Sequence, residues 1–66
     1  MVNPMQYEFT IFDTRRNLAV SVPQETVQTT VSSAMFQELI DNAALGKTHF
    51  VRYGSYFWIV RPVSQN

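Results

Sequence analysis

Residues 48–63 restrict the fold more than any other segment, because they carry the pattern of a β-hairpin that is apolar on both faces. Gly54-Ser55 predicts the turn, since glycine in the first central position suits a type II′ turn. One helix covers only one face of such a hairpin, so we expect the other face to meet a second subunit. The predicted cross-strand pairs are Tyr53 with Tyr56, Val51 with Trp58 and His49 with Val60 on one face, and Arg52 with Phe57, Phe50 with Ile59 and Thr48 with Arg61 on the other.

The chain is too short to bury much of its apolar content by itself. A domain of 66 residues buries only about 60% of the surface that its unfolded chain exposes. The sequence has no cysteine and one histidine, so we expect neither a disulfide nor a zinc site to supplement the core. With 45% hydrophobic residues, some apolar surface should meet a partner, and homodimerisation is the expected route.

The N-terminal third predicts a second hairpin. Apolar residues alternate with polar or small ones in two runs, at Tyr7, Phe9 and Ile11 and again at Leu18, Val20 and Val22. The polar residues 13–17 between these runs predict the turn. Pro23 ends the second strand, because proline lacks the N–H group that a central ladder position needs.

Residues 24–33 fit either a helix or a strand. Val27 and Val31 have helical spacing, whereas the many Thr and Val residues also suit a strand. At about 100° per residue, the apolar group of Phe36, Leu39, Ile40 and Ala43 centres roughly 170° away from the group of Val27, Val31 and Ala34, so one continuous helix would bury two sides. We therefore place a boundary near residues 32–33.

The predicted helix has recognisable start and stop signals. Either Ser32 or Ser33 can serve as the N-cap, because a serine side chain accepts the free backbone N–H groups of the first turn. The helix is expected to end at Leu45, with Gly46 in the left-handed conformation.

These elements together predict an α+β fold in a single domain of residues 1–66. The N-terminal β-hairpin, one central α-helix and the C-terminal β-hairpin form an antiparallel sheet structure, and the protein is expected to be dimeric. The tails, residues 1–5 and 64–66, are expected to be loose.

Charge and motif content favour a binding protein over an enzyme. Five basic and five acidic side chains give a net charge of zero, so no bulk field attracts nucleic acid or an acidic membrane. The sequence has no glycine-rich phosphate loop and no paired metal ligands, and His49 has no sequence context as a catalytic base. The longest apolar run, residues 56–60, is far below the roughly 20 residues of a membrane span. We expect a cytoplasmic protein without enzymatic activity, cofactor, metal or small-molecule substrate.

Two groups of side chains are candidate binding residues. The basic group is predicted to contact DNA phosphates, and the aromatic group to form a protein interface, where Tyr and Trp are enriched. The same rings also suit stacking of single-stranded nucleic acid, or simply a core and dimer seam, and these alternatives stay open. The basic group is Arg15, Arg16, Lys47, Arg52 and Arg61, and the aromatic group is Phe50, Tyr53, Tyr56, Phe57 and Trp58.

Residues 31–63 resemble the N-terminal domain of the prevent-host-death (Phd/YefM) antitoxin family. The likeness rests on a helix with the pattern F-x-x-L-I-D-x-x-x-x-G from Phe36 to Gly46, a strand with Arg-x-Gly at residues 52–54, and a last strand that reaches Pro62. The resemblance implies an α+β homodimer that binds operator DNA and represses its own operon, with a C-terminal extension that neutralises a toxin. Ser33 or a neighbouring residue stands where that family usually has an arginine at the start of the helix, near the DNA.

Two hypotheses about function follow. The first is a small homodimeric antitoxin-like or repressor-like module that binds DNA. The alternative is a small protein-binding module or inhibitor, of the kind encoded on phages and mobile elements, which covers a surface of another protein. A purely structural or assembly role is also compatible with the sequence.

Overall fold

The computed structural model describes residues 6–63, which form one four-stranded antiparallel sheet with helices on one of its faces. The strand order is β2-β1-β4-β3, so the two hairpins join through their long strands and β2 and β3 are the edges. The expectation about loose tails concerns residues outside the described range. The elements are β1 (Gln6–Asp13), β2 (Leu18–Val22), α1 (Gln24–Thr30), α2 (Ser33–Ile40), a 3₁₀ helix (Ala43–Leu45), β3 (His49–Tyr53) and β4 (Tyr56–Val63).

The C-terminal hairpin has the predicted turn and register. All five pairs from Tyr53 with Tyr56 to His49 with Val60 are present. Gly54 has φ 62°, and Ser55 has no positive φ, as a type II′ turn requires. The sixth predicted pair, Thr48 with Arg61, lies beyond this ladder because β3 begins at His49.

The N-terminal hairpin is also present as predicted, and its turn is held by side chains. The Asp13 carboxylate accepts hydrogen bonds from the backbone N–H groups of Arg15 and Arg16, at 3.0 and 3.4 Å. Asn17 closes the turn in the left-handed region, with φ 54°. Asparagine tolerates this conformation better than most residues do, because its short polar side chain bonds locally.

The predicted central helix is present as α2, but the prediction that it is the single helix was wrong, because α1 precedes it. The segment left open between helix and strand is α1, in which Val27 is buried. The chain is extended at Val31 (φ −97°, ψ 162°), and Ser32 then caps α2 by accepting the N–H of Met35 at 3.1 Å. The break lets Val27 enter the same core as Leu39 and Ala43, whereas in one straight helix Val27 would lie opposite the centre of the apolar group to which those two residues belong.

The predicted helix end at Leu45 needs a second correction. Regular α-helix stops at Ile40, and the 3₁₀ helix carries the chain on to Leu45. The predicted left-handed glycine is confirmed, because Gly46 has φ 85° and donates its N–H to the carbonyl of Ala43 at 3.0 Å. This compact end turns the chain back toward β3.

The core lies between the helices and one end of the sheet. Phe9 and Val60 contribute from the two central strands, and the helical segments contribute the rest. On the same face of the sheet, Leu18 and Val20 remain 52% and 50% exposed, so the helices leave the corner formed by β2 and its turn uncovered. The fully buried side chains are Phe9, Val27, Leu39, Ala43 and Val60.

Candidate functional site

The sheet face that points away from the helices carries a group of apolar side chains, which we call the open face. Side chains alternate along a strand, and Phe9 and Val60 point to the core, so their neighbours in sequence point outward. Phe12 pairs with Phe57, and Ile59 pairs with Phe50. Phe50 is 64% exposed, whereas the other three are half-buried against one another and the sheet. The open face is Phe12, Phe50, Phe57 and Ile59.

Arg52 lies on the same side of the sheet and borders this apolar group. Its guanidinium is 5.8 Å from the centre of the Phe57 ring, and its Nε donates to the carbonyl of Gly54 at 3.0 Å. A cation over an aromatic ring is held by the ring quadrupole. Within residues 6–63 this guanidinium has no carboxylate partner, so its charge remains available to a bound molecule.

At the opposite end of this side of the sheet, the charge of Arg61 is paired with that of Glu8. Arg61 Nη2 lies 2.7 Å from Glu8 Oε1, and the two residues are direct cross-strand partners. Both side chains are about half exposed, so the pair adds at most about 1 kcal/mol to stability. Arg61 is therefore less available for a phosphate than the sequence suggested.

Both hairpin turns lie at one end of the sheet, which we call the turn end. Thr14 donates its backbone N–H to the carbonyl of Ser55 at 3.0 Å, and its hydroxyl donates to the same oxygen at 2.7 Å. Three of the five predicted phosphate contacts lie at this end, and one of them, Arg16, has its Nε 3.7 Å from Oδ2 of Asp13. The three residues at the turn end are Arg15, Arg16 and Arg52.

Lys47 lies far from these arginines, because it precedes β3 at the opposite end of the sheet. Arg61 lies toward that end too. The structure therefore does not gather the five predicted basic residues into one surface.

The predicted aromatic interface is divided between the two sides of the sheet. Phe50 and Phe57 belong to the open face, whereas Tyr53, Tyr56 and Trp58 point toward the helix side. The Tyr53 and Trp58 rings meet edge to face, with centroids 6.4 Å apart, and both pack against the core. Tyr56, the first residue of β4 after the Gly54-Ser55 turn, is 45% exposed.

Tyr53 also ties the sheet to α2. Its hydroxyl donates to Glu38 Oε1 at 2.9 Å. Partial burial and the hydrogen bond to the Glu38 carboxylate raise the pKa of Tyr53 above its ordinary value. These contacts give Tyr53 a role in holding the fold together.

His49 has a structural partner. Its Nδ1 lies 3.0 Å from the backbone carbonyl oxygen of Leu39, which is consistent with a hydrogen bond from a protonated Nδ1. No group of His, Cys, Asp or Glu able to hold a metal is found within residues 6–63, nor is any pocket in that range.

Sequence reasoning missed two members of the open face, Phe12 and Ile59. Phe12 directly follows Ile11 and was hidden by the apolar run, although alternation from Phe9 places it on the outer side. Ile59 was assigned its correct strand partner but was not selected as a binding residue. Both could have been found by asking which apolar side chains the predicted register leaves outside the core.

Comparisons with protein-family models, with curated proteins and with solved structures gave no match to this chain. The likeness of residues 31–63 to the antitoxin family therefore stays a prediction from the residues alone. Among the described residues, none of the helices has the length and apolar character needed to cross a bilayer.

Proposed function

We propose that this chain is a small binding module whose open face receives another protein. The observation that carries the proposal is the cluster of Phe12, Phe50, Phe57 and Ile59 on the sheet face without helices. Antiparallel sheets that face water on one side usually present polar residues there. Contiguous exposed apolar groups on a small protein mark interaction sites.

The positive charge of Arg52 beside the open face favours a partner with a negatively charged group at its edge. Arg52 lies over the Phe57 ring at 5.8 Å, next to the most exposed ring, Phe50. Arginine and aromatic residues are the types most enriched at interface hot spots. The expected partner surface is apolar at its centre and carries a carboxylate where it meets Arg52.

Site-specific cross-linking would test this assignment. A photo-reactive side chain at position 50 samples the open face, and the same group at Leu45 is the control, because Leu45 is 74% exposed in the 3₁₀ helix. We expect a discrete protein adduct from position 50 and none from position 45. Excess unlabelled wild type should compete for the adduct, and an Arg52→Glu variant should compete poorly. Equal labelling at both positions, or equal competition by Arg52→Glu, would contradict the proposal.

The second candidate function is a repressor-like or antitoxin-like module that binds DNA. The observation in its favour is that Arg15, Arg16 and Arg52 all lie at the turn end. Arg15 and Arg16 lie in an exposed turn, a position from which arginines contact phosphates. Its motivation from the sequence is the resemblance over residues 31–63.

Salt-dependent DNA binding would test this second candidate. Each phosphate contact contributes about 0.9 to the slope of log K against log salt concentration. A variant with Arg15→Glu and Arg16→Glu should bind duplex DNA more weakly and reduce that slope by about two. Lys47→Glu, at the opposite end of the sheet, is the control with little expected effect. Unchanged affinity in the double variant would remove the turn end as a phosphate site.

Homodimerisation is a further part of the proposed function. Its support is physical: a 66-residue chain with exposed Leu18 and Val20 gains stability by burying such surface in a second copy. Binding of a partner protein by the open face does not depend on it.

A further inference from the structure

We propose that two copies of the chain pair antiparallel through β2, so that two four-stranded sheets join into one sheet of eight. The inference rests on the homodimeric part of the proposed function and names its contact. β2 is an edge strand of the sheet, and Leu18, Ala19, Val20 and Ser21 are all exposed. An edge strand offers unpaired N–H and C=O groups to another strand.

The two edges of the sheet differ in their protection. β2 has the sequence LAVSV, with no charged residue and no proline inside it. β3 carries the exposed Arg52 in its interior, and a charge on an edge strand is a common means of blocking strand addition. The unprotected edge is therefore β2.

Two-fold symmetry and the length of β2 give the register, because an axis through the middle residue, Val20, pairs all five residues of the strand. In an antiparallel pair, side chains that face each other lie on the same side of the sheet. A two-fold axis through Val20 satisfies this condition, because Val20 then faces its own copy and Leu18 faces Val22 of the other chain. All of these side chains point to the helix side.

This register covers the apolar surface that one copy leaves exposed. Leu18 and Val20 are 52% and 50% exposed because the helices leave the corner formed by β2 and its turn uncovered. In the antiparallel pair, Leu18 of one copy approaches Val22 and the start of α1 in the other. The two α1 helices stand at opposite ends of the paired strands, so they do not collide.

The charges that flank β2 complement each other in the same register. Counting outward from Val20 brings the turn with Arg15 and Arg16 of one copy to the first turn of α1 with Glu25 in the other. Arg15 and Glu25 are both exposed, and neither has an ion-pair partner within residues 6–63. Two such pairs form per dimer, since the symmetry repeats each contact.

Val20 provides a test that depends on the proposed register. Because Val20 faces itself, Val20→Lys and Val20→Glu should each be monomeric, with like charges directly opposite. An equimolar mixture of the two should recover the dimer. Light scattering over roughly 1 μM to 1 mM covers the micromolar Kd expected of an interface below about 1,200 Å². Phe50→Lys, on the other edge strand, is the control and should dimerise like wild type.

The possible outcomes distinguish pairing through β2 from homodimerisation by another surface. A wild-type dimer that persists in Val20→Lys, or is lost in Phe50→Lys instead, would overturn pairing through β2 and leave homodimerisation standing. A monomeric wild type over the whole concentration range would overturn both, without affecting partner binding by the open face. Circular dichroism would verify that the variants are folded, and half-exposed Val20 should tolerate either charge.

A charge exchange tests the register a second time without touching β2. Arg15→Glu alone and Glu25→Arg alone should each weaken the dimer by roughly twofold to thirtyfold, the range expected for two exposed ion pairs. The double variant should recover wild-type affinity, because both charges are exchanged. Additive losses in the double variant would count against the proposed register.

Discussion

The hydroxyl of Tyr53 donates a 2.9 Å hydrogen bond to Glu38 Oε1 and so joins the last residue of β3 to the middle of α2. The Tyr53 ring also meets Trp58 edge to face on the neighbouring strand. A single side chain thus links the C-terminal hairpin to the helix layer. The helices of so small a domain have few other polar ties to the sheet, the others among the described residues being Tyr7 to Gln24 and His49 to Leu39.

Replacing Tyr53 by Phe should lower the free energy of unfolding by about 0.5–1 kcal/mol at neutral pH, because one net hydrogen bond is lost. The raised pKa of Tyr53 gives this contribution a pH dependence. A group whose pKa is higher in the folded state stabilises the fold below its unfolded pKa, about 10 for Tyr. The contribution then disappears as pH rises through the folded pKa.

Urea unfolding of wild type and Tyr53→Phe at pH 8 and at a pH above 10 would measure this effect. The stability difference between the two proteins should shrink at the higher pH. Tyr56→Phe is the matched control, since the Tyr56 hydroxyl has no hydrogen-bond partner among the described residues. An equal loss in both variants would mean that the bond to Glu38 contributes nothing.

Replacing a phenylalanine by alanine should reduce stability strongly on the helix side of the sheet and only slightly on the open face. Phe9 is fully buried and lies 5.8 Å, centroid to centroid, from Phe36, so Phe9→Ala should cost about 3–5 kcal/mol. That is comparable with the whole stability of a domain this size. Phe50→Ala, at a 64% exposed position, should cost less than about 1 kcal/mol. Comparable destabilisation by the two substitutions, measured by thermal unfolding, would show that the open face is part of the core.

The start of α2 depends on one of two adjacent serines. Ser32→Ala removes the side-chain oxygen that accepts the N–H of Met35 and should cost about 1 kcal/mol. Ser33→Ala should have little effect, because Ser33 is inside the helix, where alanine is favourable. Denaturant midpoints of the two variants would decide between them. The reverse order would place the cap at Ser33.

Position 46 favours glycine because of its backbone conformation, and not because a larger side chain would clash with its surroundings. A Cβ atom at this position would meet nothing within 4 Å, but φ is 85°. Gly46→Ala should therefore destabilise the protein by about 1–2 kcal/mol through the left-handed backbone alone. Gly46→Asn should cost less, since asparagine visits this region more readily. If Ala and Asn were equally tolerated in unfolding experiments, the turn would have to relax to another conformation.

The local elements could be predicted from the sequence because each depends on neighbours along the chain. The type II′ turn at Gly54 sets the register of its hairpin, and Pro23 ends β2 while beginning α1. Gly46 and Ser32 were identified from capping preferences, although the sequence did not decide between Ser32 and Ser33. A turn, a cap and a two-residue alternation all act over a few bonds, so the residues that specify them are adjacent.

The division of residues 24–45 into two helices could only be anticipated in part. The opposed helical phases of Val27 and of the apolar group from Phe36 to Ala43 indicated a break, but the Thr and Val content left α1 open between helix and strand. Burial of Val27 in the same core as Leu39 decides for the helix. Packing of this kind overrides a weak local propensity.

The candidate site was decided mainly by the tertiary structure. The sequence determined the two hairpins, their internal registers and hence which side chains share a face within each. Only the pairing of β1 with β4, from Gln6 with Val63 to Asp13 with Tyr56, places Phe12 beside Phe57 and the two turns at one end. That pairing joins residues about fifty positions apart, and it depends on which apolar faces fit one common core, which no local pattern specifies.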